Sequence, residues 1–564
     1  RQQDLEGVCK FRFASAAEFF RHLGRQDLTG LPVAYGELYL EFHRGTYTTQ
    51  AHTKTDNSRS EFNLGAAEFW AVLCRVKPYP EFLRELWRDT LLLQFHDILP
   101  GSSIHQVYQD ACISSAYNCI GWQGFMSNLA QEAADQDLPK GCRACLILNA
   151  CNQELVDWLE FPKVFLVKYL PQDDQGDTLP CLPAGDSALE VKVQVPAFSC
   201  RQIIFVPAAT KPTPKTKRIK SVLENQCLRV RLTPTGGIAS ILDKRTGREL
   251  LAAESNLLQL WEDEPNNWGA WDINHFYRTT QPQGVGAAKL VAEKSIRLEG
   301  EFDRVVMNLE IGNSKLTQTV ELRHGEPFIR FQHSVTWKEE HRMLRVHFHP
   351  DLHSAIATYG IQGGVIQRST KPKNAWEEAQ FEVPAQRFAD LSQPDRGCAL
   401  ISGTKYGYRV RDNQMELNLL RSPADVDPEA DLGHQSYAYA FYPHTGDYAK
   451  SDVFQVAEQF VNKLIRIDTK RLFTQVPEPF FSFTCDHVNL DTVKPAEEGA
   501  GIVLRFHEYK GQSGTAKLIL KRPFKQVWLC NMLEEVITPL QPDATLSLDF
   551  RPFEIKTLLL LEES

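Results

Sequence analysis

The chain has 564 residues, too many for one hydrophobic core, so several domains are expected. Its composition is that of an ordinary globular protein, 43% hydrophobic and 24% charged. A net charge of −9 excludes an electrostatic case for nucleic acid, and no run approaches the roughly 18 apolar residues of a membrane span. Thirteen cysteines at irregular spacing argue against a disulfide framework and for reduced thiols in a cytoplasm. No Asn-x-Ser/Thr sequon occurs, which points the same way.

The chain opens Arg1-Gln-Gln-Asp, without an initiating Met, and reads as a piece of a longer protein. A short β segment near Arg12 is expected to lead into a helix starting near Ser15. Gly36 to Thr49 is aromatic and Thr-rich without a helical stripe, and reads as extended segment and loop. Between Asp56 and Asp137 the apolar spacing turns helical. Leu83, Leu86, Thr90 and their neighbours recur at i, i+3, i+4 and i+7. Three helices fit, about 61–76, 81–97 and 103–135, the last opened by a Ser103-x-x-Gln106 capping box. After Lys140 alternating runs predict strands, among them Cys145–Asn149, Val164–Val167, Leu189–Val195 and Ile203–Val206. Pro207–Pro214 reads as a linker, and the basic run Lys211–Lys220 as its solvated continuation. Strands then recur to the C-terminus, implying large antiparallel sandwiches with no fixed-period repeat.

Two segments carry candidate chemistry. In Leu91-Leu-Leu-Gln-Phe-His-Asp-Ile-Leu-Pro-Gly, the pair His96–Asp97 sits where an amphipathic helix ends. A neutral imidazole there suits Zn²⁺ and a neighbouring carboxylate suits a sugar hydroxyl. The alternative is a His bonded to a carbonyl and an Asp capping a turn. In Gly36–Thr49, Glu37 and Glu41 would share one face of an extended segment. A carboxyl held among Tyr39, Phe42 and Tyr47 would be partly desolvated, as a general acid requires. The alternative is a surface edge with two solvated Glu.

Gly36-Glu-Leu-Tyr-Leu-Glu-Phe-His-Arg-Gly-Thr-Tyr-Thr-Thr49, followed by Gln94-Phe-His-Asp-Ile-Leu-Pro-Gly101, resembles the family 38 α-mannosidases, most closely their cytosolic branch. The likeness continues in order through Gly236-Gly-Ile-Ala-Ser-Ile-Leu-Asp-Lys244, Trp268-Gly-Ala-Trp-Asp-Ile273, Leu419-Leu-Arg-Ser-Pro423 and Pro552-Phe-Glu-Ile555. The resemblance implies a multidomain α + β architecture. Residues 1–55 would be the remnant of an α/β barrel-like catalytic domain and 56–140 a three-helix bundle. A small β domain would occupy 141–210, a large β-sandwich 217–475 and a C-terminal β-sandwich 476–564.

The same resemblance implies retaining, zinc-dependent hydrolysis of terminal α-D-mannosyl residues in oligosaccharides, in the cytoplasm, by a chain that self-associates as a homo-oligomer. It gives His96 as a zinc ligand, Asp97, Trp271, Asp272 and Tyr47 as substrate contacts, and Glu41, or else Glu37, as the acid/base. The family's remaining zinc ligands and its nucleophile lie upstream of Glu37 and have no match here. Retaining hydrolysis needs two carboxyls about 5–5.5 Å apart, and a catalytic zinc about three protein ligands. The fragment by itself is therefore expected to hold zinc weakly and to be inactive. The alternative function is a non-catalytic carbohydrate-binding or scaffold β-sandwich protein. Cys142-x-x-Cys145 lacks the second pair of a zinc ribbon, and His347-Phe-His349 reads as a solvent-facing strand.

Overall fold

A computed structural model describes residues 6, 7, 9–184, 188–208 and 215–562. Most of the expected linker, and the start of its basic run, lie outside the described residues. The chain divides into two compact units, Arg1–Leu40 and Glu41–Ser564. Among its described residues the first holds one helix, α1 (Ala16–Leu23), whose N-cap Ser15 accepts from the Glu18 amide. Residues 9–15 form no strand, and no strand occurs among the described residues of this unit, so nothing in it shows an α/β barrel remnant.

The second unit is mostly β-sandwich with few helices. Helices α2 (Ala51–Leu73), α3 (Glu81–Leu93) and α4 (His105–Ala133) each pack against the other two. Helix α2 begins ten residues before the expected start. Its first ten residues are polar and carry no apolar stripe. What starts it is a distant carboxylate: Asp431 accepts from the Gln50 and Ala51 amides at 2.8 and 2.7 Å. The expected capping box at Ser103 does not form. The Ser103 hydroxyl donates instead to the Asp97 carbonyl at 2.7 Å, and Ile104 is the N-cap of α4.

A four-stranded sheet (Ile465–Thr469, Arg143–Asn149, Ser199–Pro207, Tyr169–Gln172) faces a three-stranded one to make the small β domain. Its strand Ile465–Thr469 pairs with Ala144–Leu148, so a strand expected inside the 217–475 domain belongs to this sheet. Val164–Val167, expected as a strand, lies in the short helix Lys163–Lys168 that follows Pro162. Four apolar residues fix no period, so helix and strand are indistinguishable at that length.

An eleven-stranded and a six-stranded sheet form the large sandwich. Phe331 stacks on Tyr439 within the first sheet, and Phe348 of the second stacks on Phe441 of the first at 4.8 Å. Its strand Arg342–Phe348 is central and covered on both faces. The solvent-facing reading of His347 is therefore corrected. It is buried beside Glu416, and burial pushes its imidazole down to about 4. A second two-sheet sandwich closes the chain, and its core is continuous with that of the helices. Between helices, small domain and large sandwich lies a cavity of about 1730 Å³. Arg304 and Arg323 bridge Glu190 and Asp157 of the small domain to Glu321 of the large sheet along its wall. Burial works against the Glu321 carboxylate, but the two guanidiniums outweigh it and hold its pKa down at about 2.

His333, fully buried in the large sandwich, lies 3.2 Å from Tyr437 Oη and 3.1 Å from Gln318 Oε1. Burial, aided by the Lys405 charge, pushes it down to about 3. Below about pH 6.5 the unfolded chain takes up a proton that folded His333 refuses, so stability should fall with pH through that window. Urea midpoints between pH 7 and 4.5 check this. The slope should flatten in His333→Gln, and an unchanged slope would remove His333 as its source.

Candidate active site

Three segments, far apart in sequence, meet at the buried residue Thr49. The first runs from Arg44 to Gln50 and includes the 3-10 turn Gly45–Tyr47. The second is the turn from Gln94 to Ser103 that joins α3 to α4 and carries His96–Asp97. The third is Trp268–Asp272, a loop of the large sandwich. Thr49 Oγ1 lies 2.9 Å from the Gly45 carbonyl and 3.0 Å from the Ala270 carbonyl, while accepting from Arg421 Nη1 at 3.0 Å. The Arg421 guanidinium is fully buried and also donates to Asp263 Oδ2 at 2.7 Å and to the Asp272 carbonyl at 2.9 Å. No Cβ fits at Gly45, since it would lie 1.8 Å from Arg421 Nη1.

The second segment joins this hub through Lys54. Its buried ammonium donates to Thr49 O at 2.5 Å, Leu99 O at 2.8 Å and Pro100 O at 3.3 Å. Burial pushes this ammonium below its ordinary range, while three carbonyl dipoles receive its protons. Gly101, at φ +98°, lets the turn close on Thr49, because a Cβ there would lie 2.6 Å from Thr49 O. Within the turn, Asp97 Oδ1 accepts from Ser102 Oγ at 3.0 Å, and the Asp97 carbonyl accepts from Tyr108 Oη at 3.1 Å. The Asp97 backbone is thereby fixed, while His96 and half of the Asp97 carboxylate remain open to solvent, with Nε2 and Oδ2 3.5 Å apart.

In the third segment Trp271 and Asp272 amides both donate to the Trp268 carbonyl, and the two indoles meet edge to face at 5.7 Å. The Trp271 carbonyl accepts from Gly45 and Thr46 at 2.7 and 3.2 Å. Arg44 reaches Asp272 Oδ1 at 3.2 Å while lying 4.4 Å over the Phe381 ring. The structure thus brings Trp271 and Asp272 onto the turn that contains Tyr47, which is half-buried, and ties the His96–Asp97 turn to its end.

The carboxyl candidates behave otherwise. Glu37 is half-buried in the first unit, and Glu41 opens the second. Glu41 sits in a turn, its carbonyl accepting from the His43 amide, and is exposed, as is Phe42. Glu41 is therefore in a turn and not in the extended segment expected for it, and its side chain is exposed rather than enclosed by aromatic rings. The metal donors at the helical turn number two, His96 and Asp97. Among the described residues a group of three or more His, Cys, Asp or Glu donors around one point occurs only elsewhere, at Cys485–His487. The residues described at His96 offer fewer donors than the roughly three protein ligands that a catalytic zinc needs.

Arg421, Thr49, Lys54 and Arg44 were invisible as site residues in the sequence. One signal was present for Arg421: a lone charge in the apolar strand run Leu417-Asn-Leu-Leu-Arg-Ser422 demands a buried counter-charge.

Comparison with known proteins agrees with the ordered motifs. Residues 41–131 match the family model of the alpha mannosidase middle domain. Residues 223–429 match the glycosyl hydrolases family 38 C-terminal domain, and 487–558 its C-terminal beta sandwich domain. "Alpha-mannosidase 2C1" of Mus musculus is 33% identical over 100% of this chain and 54% of its own length. "Alpha-mannosidase G" of Dictyostelium discoideum is 29% identical over 98% of this chain and 55% of its own length. The chain spans about half the length of these relatives. The crystal structure of an alpha-mannosidase from Enterococcus faecalis shares the fold, with a TM-score of 0.80 at 16% identity over 97% of this chain and 72% of that one. On these matches the chain belongs to glycosyl hydrolases family 38, whose alpha mannosidase middle domain and C-terminal domains it carries.

Proposed function

We propose that the chain serves an α-mannosidase acting on terminal α-D-mannosyl residues of mannose-containing oligosaccharides. One observation carries the reading. The hub at Thr49 and Arg421 holds a His–Asp turn and a Trp–Asp loop to a common anchor, the preorganisation that a sugar site requires. In this reading Asp97 and Asp272 accept sugar hydroxyls, Trp271 and Tyr47 line the sugar ring, and Glu41, with Glu37 as the alternative, moves the leaving-group proton. Bound Zn²⁺ would grip adjacent hydroxyls and polarise them. His96 would be one of its ligands, the others coming from outside these residues. The nucleophile of a retaining reaction would come from there too, leaving this chain inactive when separated. All thirteen cysteines are free, which favours a reducing cytoplasm. Self-association into a homo-oligomer is part of the same proposal.

The test is hydrolysis of an aryl α-mannoside. This chain alone should give no turnover, whereas the gene product extended to the relatives' length should. In that longer protein His96→Ala and Asp97→Ala should each lower kcat/KM by at least about a hundredfold. Normal turnover in both variants would refute the site. Binding of a mannose oligosaccharide without turnover in the longer protein would favour the carbohydrate-binding alternative.

A further inference from the structure

Between the strands Phe481–Thr484 and Val488–Pro495 of the C-terminal sandwich, three consecutive residues, Cys485, Asp486 and His487, turn their donor atoms toward one point. Cys485 Sγ lies 3.3 Å from His487 Nδ1, and the same nitrogen lies 2.9 Å from Asp486 Oδ1. For a tetrahedral ion with bonds of about 2.3 Å to sulfur and 2.0–2.1 Å to nitrogen or oxygen, neighbouring donors stand roughly 3.3–3.6 Å apart. The sulfur and the carboxylate oxygen therefore each need to move only a few tenths of an ångström away from the nitrogen they share.

The surroundings hold this turn in place. The Asp486 carbonyl accepts from Tyr509 Oη at 2.6 Å and from Gln455 Nε2 at 3.2 Å, which fixes the backbone between the two outer donors. Gly514 gives the imidazole its room, since a Cβ there would lie 2.3 Å from His487 Nε2. The His487 ring is largely buried while the Asp486 carboxylate is exposed, so one side of the cluster is walled and the other open. A cleft of about 740 Å³, lined by Ser482, Thr484 and Thr515, opens on it.

We infer that Cys485, Asp486 and His487 form a binding site for one borderline divalent cation, of the Zn²⁺ or Co²⁺ kind, with its fourth position open to the cleft. A thiolate and a carboxylate neutralise a divalent charge, and a mixed S, N and O set suits these ions over Mg²⁺ or Ca²⁺. Binding releases the thiol proton to solvent and forms the metal–sulfur bond with no change of oxidation state. The site is separate from the His96 turn and needs no donor from outside the chain.

Titrating the chelator-treated 564-residue chain with Co²⁺ alone tests this. One equivalent should produce a near-ultraviolet sulfur-to-cobalt charge-transfer band. The band should vanish in Cys485→Ser and persist in His96→Ala, which separates this site from the proposed mannoside site. His487→Ala should weaken Co²⁺ binding by at least the roughly 10–100-fold that even an outer partner of a ligand is worth. In the unaltered chain, Zn²⁺ should slow alkylation of Cys485, mapped by peptide mass, while exposed Cys112 and Cys119 react as before. No band, a band that survives Cys485→Ser, or Cys485 alkylation indifferent to Zn²⁺ would each overturn the inference.

Discussion

Arg421→Met should lower the unfolding free energy of the second unit by about 3–5 kcal/mol, the cost of breaking one buried ion pair from one side. The guanidinium is fully buried, and its loss leaves Asp263 as a carboxylate with no counter-charge in a site that is also fully buried. Burial already drives the Asp263 carboxyl above its usual range in spite of Arg421, so the unpaired acid would be expected to take up a proton. Three other bonds go with it, to Thr49 Oγ1, the Ala270 carbonyl and the Asp272 carbonyl. Arg421→Lys should recover little, because an ammonium cannot reproduce the planar fork that reaches Asp263, Thr49 and the Trp268–Asp272 loop at once. Urea unfolding of the single variants and of Arg421→Met with Asp263→Asn measures the coupling. The double variant should regain part of the loss, since it removes the stranded charge. A loss below about 1 kcal/mol in Arg421→Met, the size of an exposed ion pair, would show that the hub does not hold the segments together.

Gly101→Ala should act locally and chiefly on function. The left-handed backbone at φ +98° already disfavours any side chain, and the added methyl would meet Thr49 O at 2.6 Å. The turn must then lift from Thr49, stretching the Lys54 bonds to Leu99 and Pro100 that bind the two together. Faster amide exchange from Leu99 to Ser103 is expected, with the large sandwich protected as before. In the protein of the relatives' length, displacing His96 and Asp97 by about 1 Å should cost about a hundredfold in kcat/KM. Unchanged exchange in the turn would show that the contact with Thr49 does not position it.

How much of this was legible in the sequence follows the range of the interactions. Helices α3 and α4, expected at 81–97 and 103–135, are found at Glu81–Leu93 and His105–Ala133, because an apolar stripe is a local property. The start of α2 was hidden because its cap is Asp431, 380 residues away from Ala51. Ser103 looked like a cap and is not one, since the Asp97 carbonyl competes for the same hydroxyl. His347 looked like a solvent-facing residue because alternation does not reveal whether a second sheet covers the polar face. At the site, the neighbouring pair His96–Asp97 stood out in the sequence, and Trp271–Asp272 followed from the family resemblance. The residues that bring these segments together did not stand out, because Thr49 and Arg421 mean nothing until they touch.

That contact also sets a timetable. Arg421 is made 372 residues after Thr49, about 20–75 s later at a synthesis rate of roughly 5–20 residues per second. For most of that interval, once Ala133 has been added, the helices are complete while Lys54, Thr49 and the start of α2 still wait for Arg421 and Asp431. A nascent chain stalled before residue 421 would present this helical arm, with buried polar groups unmatched, to whatever chaperone or protease meets it first.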